Sequence, residues 1–183
     1  PIVQSDHPGV QQWLGRSPFL GRTPGRTVFL TEQRRMAQPI CEVISQVFYG
    51  GRLKLAGDAR KSAIWRAHRN LPQAEGVSGR LVVQLVEGGS TWWPGVRSAV
   101  RDCSAEWIVK AVRDLVKAGQ SRQDILILTP FRGQRYKLQR MFRDVELPEI
   151  EVSTVHRAQG GEQHTIIFDP TDEGATFLKR PDT

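Results

Sequence analysis

The chain has 183 residues, with 26 Lys and Arg against 19 Asp and Glu, a net charge of +7 and 39% hydrophobic residues. That length suits one domain able to bury a core without covalent staples, and the 25% charged and 39% hydrophobic fractions read as globular rather than disordered. Two cysteines, Cys41 and Cys103, are too few for a disulfide framework and lack C-x-x-C zinc spacing; no apolar stretch approaches the ~20 residues of a membrane span and no signal-peptide pattern opens the sequence, so a soluble, cytoplasmic protein is expected.

Residues 1–26, broken by Pro8-Gly9, Pro18 and Pro24-Gly25, read as an irregular opening segment. Thr27-Val28-Phe29-Leu30 is a short β-prone run, predicting a first strand. Ile40, Val43, Ile44, Val47 and Phe48 recur with helical spacing; Pro39 fits the first turn and Gly50-Gly51 the end. Residues 54–80 are basic and poorly periodic, a long connection or insertion. Leu81–Val86 reads as a strand covered on both faces. Trp107, Ile108, Ala111, Val112, Leu115 and Val116 form a second helical stripe, with Ser104 expected as N-cap and Gly119 just past its end. Ile125–Leu128 predicts a buried strand, followed by a helix through Tyr136, Leu138 and Phe142; Glu151–Ser153 and Thr165–Phe168 predict two more strands. Strands alternating with helices indicate an α/β domain with a mainly parallel sheet. Ligands of such sheets lie beyond the carboxyl ends of the strands, so the loops after Leu30, Leu128 and Val152 are the places to search.

No phosphate-binding loop satisfies its own requirements. Gly21–Thr27 is one residue short of G-x-x-x-x-G-K-[ST] and has Arg where Lys belongs, and it does not follow a strand. The chain is therefore expected to lack its own P-loop. Of the cations, 20 are Arg and 6 Lys, and Arg presents a planar fork suited to phosphate. Gln33-Arg34-Arg35-Met36 places two of them after the first predicted strand, where a helix start attracts anions; an exposed basic turn is the plainer alternative. Thr154–Glu162 joins the last two strands and carries Gly160-Gly161, which permits close backbone approach to a ligand, or a simple hydrophilic turn. His164, Asp169, Asp172 and Glu173 are too dispersed for a metal, so no metal site is expected. Trp92-Trp93 either stacks bases or packs in a loop.

Leu30-Thr31-Glu32-Gln33-Arg34-Arg35-Met36, with Phe48–Leu53 after it, resembles motif IV and the following helix of superfamily 1 helicases, in the Upf-like group of superfamily 1B. Ile127-Leu128-Thr129-Pro130-Phe131-Arg132-Gly133-Gln134 resembles that group's TPY-x-x-Q segment, and Ser153–Glu162 resembles motif V. The resemblance implies a RecA-like three-layer αβα sandwich and the second of two motor domains. Pro1-Ile2-Val3 looks like the residues just after motif III, and motif VI is expected beyond Thr183. Residue by residue, the resemblance implies that Gln33 and Arg35 face a nucleotide, with Arg35 as an arginine finger. Arg34 stands where the family usually has a Tyr that can stack on adenine. Gly160 and Glu162 match motif V positions near the nucleotide, Gln159 the position coupling both sites, and Thr129 and Thr154 positions on the nucleic-acid backbone. ATP and Mg²⁺ would be held mainly by a first RecA-like domain of the same polypeptide, and the partner would be single-stranded DNA or RNA. A fragment of this kind is expected to be inactive as an ATPase alone. A non-catalytic nucleic-acid-binding module is the alternative.

Overall fold

In the computed structural model, residues 29–69, 80–172 and 174 are described. The chain divides into two units, Pro1–Thr31 and Glu32–Thr183, and every element below belongs to the second. The opening segment lies outside the described residues, as do Thr27 and Val28 of the predicted first strand; Phe29 and Leu30 are exposed and form no strand.

The central strand is β5 (Ile125–Thr129), flanked by β6 (Glu151–Thr154) and β7 (Thr165–Phe168), both parallel to it. Side chains alternate across a strand, so Ile125 and Ile127 share one face with their register partners Val152, Thr165 and Ile167. On that face lie helices α4 (Asp102–Lys117) and α5 (Arg132–Asp144), which contribute Ile108, Val112, Leu115, Leu138 and Phe142 to one continuous core. Each such fully buried side chain stabilises the fold by roughly 1.5–3 kcal/mol. On the opposite face Leu126 is buried, but Ile166 and Phe168 of β7 remain half exposed, at 52% and 54%.

Upstream, β1 (Glu32–Gln33) pairs in parallel with β2 (Lys54–Leu55), and α1 (Gln38–Tyr49) crosses between them. This helix follows the predicted boundaries: Pro39 sits in its first turn, and Gly50 ends it in the left-handed conformation with φ +55°. The described part of the basic connection holds β2 and two short helices, α2 (Gly57–Lys61) and α3 (Ala63–Ala67). The first strand among the described residues thus begins at Glu32, two residues beyond the end of the β-prone run. Its pairing with Lys54 and Leu55, extended by Ala56 N–H donating to Gln33 O at 3.0 Å, decides where it lies.

Two further expectations need correction. Leu81–Val86 forms no strand; Leu81, Val83 and Leu85 are exposed, because a strand requires a neighbour's ladder and this run has none. Ser104 is not the cap of α4. The N-cap is Arg101, and Ser104, within the first turn, turns its hydroxyl inward to Asp169 at 3.0 Å. Between β2 and α4 stands an antiparallel hairpin of β3 (Thr91–Trp93) and β4 (Ser98–Val100). Its β4 strand abuts the start of α5 so closely that a Cβ on Gly133 would meet Ala99 O and Val100 Cγ1 at 3.0 Å. The two tryptophans on β3 are substantially exposed, at 63% for Trp92 and 41% for Trp93.

Candidate functional site

Two turns carry most of the predicted site residues. The first is Arg34-Arg35-Met36 between β1 and α1. Gln33 closes it from within: its Oε1 accepts from Met36 N–H at 2.7 Å and its Nε2 donates to Met36 O at 3.0 Å. Arg34 donates through Nε to Asp58 Oδ2 at 3.2 Å, at the start of α2. That hydrogen bond, helped by the Ala59 backbone N–H, holds the Asp58 carboxyl below the usual carboxylate range. Arg35 extends into solvent and pairs with Glu162.

The second turn follows β6. Arg157 and Ala158 N–H groups return to Thr154 O at 3.0 and 3.1 Å, and Gly161 N–H donates to Ala158 O at 3.1 Å. Gly160 takes φ +91°, a conformation costly for any side chain, so glycine there lets the loop turn back. Gln159, Gly160 and Glu162 are exposed, and Thr154 is half-buried. Arg35 and Glu162 both line a cavity of about 1090 Å³, whose walls also include Ile40, Trp107 and β7. The structure therefore brings Arg35 to Glu162, while Arg34 is drawn to Asp58 and Gln33 is spent on its own turn.

Thr129 departs from expectation. Its side chain is fully buried, its hydroxyl shares a 2.9 Å hydrogen bond with Thr171 and accepts from Phe131 N–H at 3.2 Å, and no face of it is open to a nucleic-acid strand. It ends β5 directly opposite Thr154 in the register, so the two threonines adjoin but only Thr154 has surface.

Sequence reasoning missed two sets of partners. Trp65 and Arg69 bind the carbonyls of Arg34 and Arg35 from the connection after β2. Behind the strand ends, Gln134 Nε2 donates to Asp169 Oδ2 at 2.7 Å, and Asp169 also accepts from Ser104 Oγ and Thr171 N–H. A buried side chain so engaged ties the strand ends together. Among the described residues, no three His, Cys, Asp or Glu side chains gather for a metal. The one available signal was Gln134 itself, a polar residue on the apolar stripe of a predicted helix.

A family model described as an AAA domain matches residues 17–173. The chain belongs to the AAA_12 family of AAA domains. This is a Upf-like superfamily 1 helicase domain, the group that the motif IV, TPY-x-x-Q and motif V segments resemble. The chain is similar to the 3′-5′ exoribonuclease HELZ2 of Mus musculus, with 25% identity over 176 residues, covering 91% of this chain and 6% of the relative. It is also similar to the DNA replication ATP-dependent helicase/nuclease DNA2 of Xenopus laevis, with 26% identity over 172 residues, covering 81% of this chain and 16% of that protein. It thus spans a small part of either relative. Among the described residues, no helix is long and apolar enough to cross a membrane.

Proposed function

We propose that this AAA_12 domain is the second RecA-like motor domain of an ATP-dependent superfamily 1 helicase, a three-layer αβα sandwich without its own P-loop. In this reading it supplies an arginine finger and part of the track for single-stranded nucleic acid. The meeting of Arg35 with Glu162 carries the proposal. The motif IV and motif V segments, distant in sequence, converge on one cavity wall, and the guanidinium that points there already holds an anion's oxygen.

Both partners are mostly exposed, at 68% and 60%, so their attraction is weak and readily exchanged. A γ-phosphate presents the same oxygens with more charge, and Arg binds it through a planar fork. Arg35 would exchange Glu162 for the phosphate and stabilise the charge that builds up on the transferred group. ATP and Mg²⁺ would be held mainly by a first RecA-like domain of the same polypeptide, the metal supplying neutralisation of the phosphate oxygens when bound. Arg34, freed from Asp58, can lay its guanidinium plane on the base, while Gln33 shapes the turn and Gly160 keeps the motif V backbone close. Thr154, at the open end of β6, faces the nucleic-acid backbone, with Gln159 between the two sites as the coupling residue; Thr129 flanks Thr154 on the neighbouring strand. Backbone contacts position a strand without reading its bases, as a motor requires. One relative is named for RNA degradation and the other for DNA replication, so the substrate is proposed only as a single strand of DNA or RNA.

ATP turnover tests this. The chain by itself is expected to show none. In the native polypeptide, Arg35→Ala is expected to lower kcat by about 10³–10⁵ while leaving folding and nucleic-acid binding unchanged. Wild-type kcat in that variant would overturn the assignment.

A further inference from the structure

The side chain of Arg35 is long and mostly in solvent, so the protein can aim it only by fixing the backbone from which it springs. The α1 N-terminus gives no help there, since Ala37 caps it without a side-chain hydrogen bond. Gln33 ties the turn only through Met36. The carbonyls of Arg34 and Arg35 themselves are held by Trp65 of α3 and by Arg69, just past the end of that helix. Trp65 Nε1 donates to Arg34 O at 2.7 Å, Arg69 Nη2 donates to the same oxygen at 3.0 Å, and Arg69 Nε donates to Arg35 O at 2.9 Å.

Arg69 is braced for this. Its guanidinium lies over the Trp65 ring, 4.0 Å from the centroid, and its Nη1 returns to Trp65 O at 3.2 Å. Trp65 is in turn set by Ser62, the N-cap of α3, whose Oγ accepts from Trp65 N–H at 3.1 Å. A planar fork stacked on an indole has little rotational freedom left, so its two N–H groups grip consecutive carbonyls at a fixed spacing. Arg69 also lines the same cavity as Arg35.

We propose that Arg69, braced on Trp65, is the positioning residue for Arg35. This rests on the reading of Arg35 as the phosphate-facing arginine. Displacing a reacting group by ~1 Å can cost about 10² in rate, and losing both carbonyl bonds frees the turn to move on that scale. Arg69 acts through Arg35, so its effect vanishes when Arg35 is absent. A lysine there offers a single ammonium in place of the fork and cannot span both carbonyls while stacking.

The experiment is a cycle of kcat and KM for ATP in the native polypeptide. Arg69→Ala is expected to lower kcat by about 10–10²-fold with KM within about threefold of wild type and an unchanged melting temperature. Arg69→Lys is expected to fall between, and Trp65→Phe, which keeps the ring face but loses one donor, to lose only a few-fold. In an Arg35→Ala background, Arg69→Ala is expected to lower kcat no further. The same additional loss in that background would make Arg69 a general structural residue and overturn the proposal, as would wild-type kcat in Arg69→Ala. Wild-type kcat in Arg35→Ala alone would instead overturn the reading beneath it, so the two failures are distinct.

Discussion

Replacing Gln134 with Leu tests whether the buried polar tie organises the strand ends. The side chain is fully buried. Its Oε1 accepts from Arg101 N–H at 2.9 Å, while Nε2 reaches Arg101 O and Ser104 Oγ, each at 3.1 Å, and Asp169 Oδ2 at 2.7 Å. Leucine keeps nearly the same volume, so the loss is polar rather than a cavity. Arg101 O retains Ala105 N–H at 3.2 Å, and Asp169 retains Ser104 Oγ and Thr171 N–H. The Arg101 N–H loses its glutamine acceptor, at roughly 1–3 kcal/mol, and the carboxylate loses its shortest donor, at roughly 1.5–3 kcal/mol. The sum, about 2.5–6 kcal/mol, corresponds to a fall in Tm of roughly 5–24 °C for a domain of this size. Urea and thermal unfolding followed by circular dichroism read both quantities. Gln139→Leu is the control, because its amide makes one long bond, to Val152 O at 3.3 Å, from a half-buried site. A loss under about 1 kcal/mol in Gln134→Leu would refute the reasoning. So would strict additivity with Asp169→Asn, since bonded partners should couple by about 0.5–3 kcal/mol.

Gly133→Ala is expected to destabilise by about 1–3 kcal/mol, because its Cβ would press on the β4 backbone at 3.0 Å and strain the Gly133 N–H bond to Ser98 Oγ; denaturant midpoints measure this. Asp58, its folded pKa lowered by Arg34, contributes stability above its unfolded pKa of about 3.8, and that contribution is lost as pH falls through the lower folded value. The pair is exposed, so the effect is read best by NMR titration of the Asp58 carboxyl: a midpoint below that of an unpaired aspartate, rising in Arg34→Gln, where the Ala59 N–H remains.

Periodicity and chain punctuation were enough to place α1, α4, α5 and β5 to β7. Pro39 and Gly50 mark α1 because one locks a first-turn dihedral and the other accepts the left-handed exit. The apolar run at Ile125–Leu128 and the stripe from Trp107 to Val116 mark elements whose burial follows from their own spacing. The motif segments likewise disclosed the family, because they are local strings whose order survives without coordinates. What needed the tertiary structure was pairing. A strand exists only with a neighbour, so Glu32–Gln33 became β1 through Lys54–Leu55, while the more apolar Leu81–Val86 found no ladder. The sequence pattern points Thr129 to the surface, but on the central strand it is fully buried and hydrogen-bonded to Thr171. Arg35 meets Glu162 and its carbonyl meets Arg69 only after the chain has folded, since charge and hydrogen-bond donors in a sequence carry no direction. Side-chain type determined which chemistry the chain possesses; three-dimensional register decided which groups face each other and which are consumed within the fold.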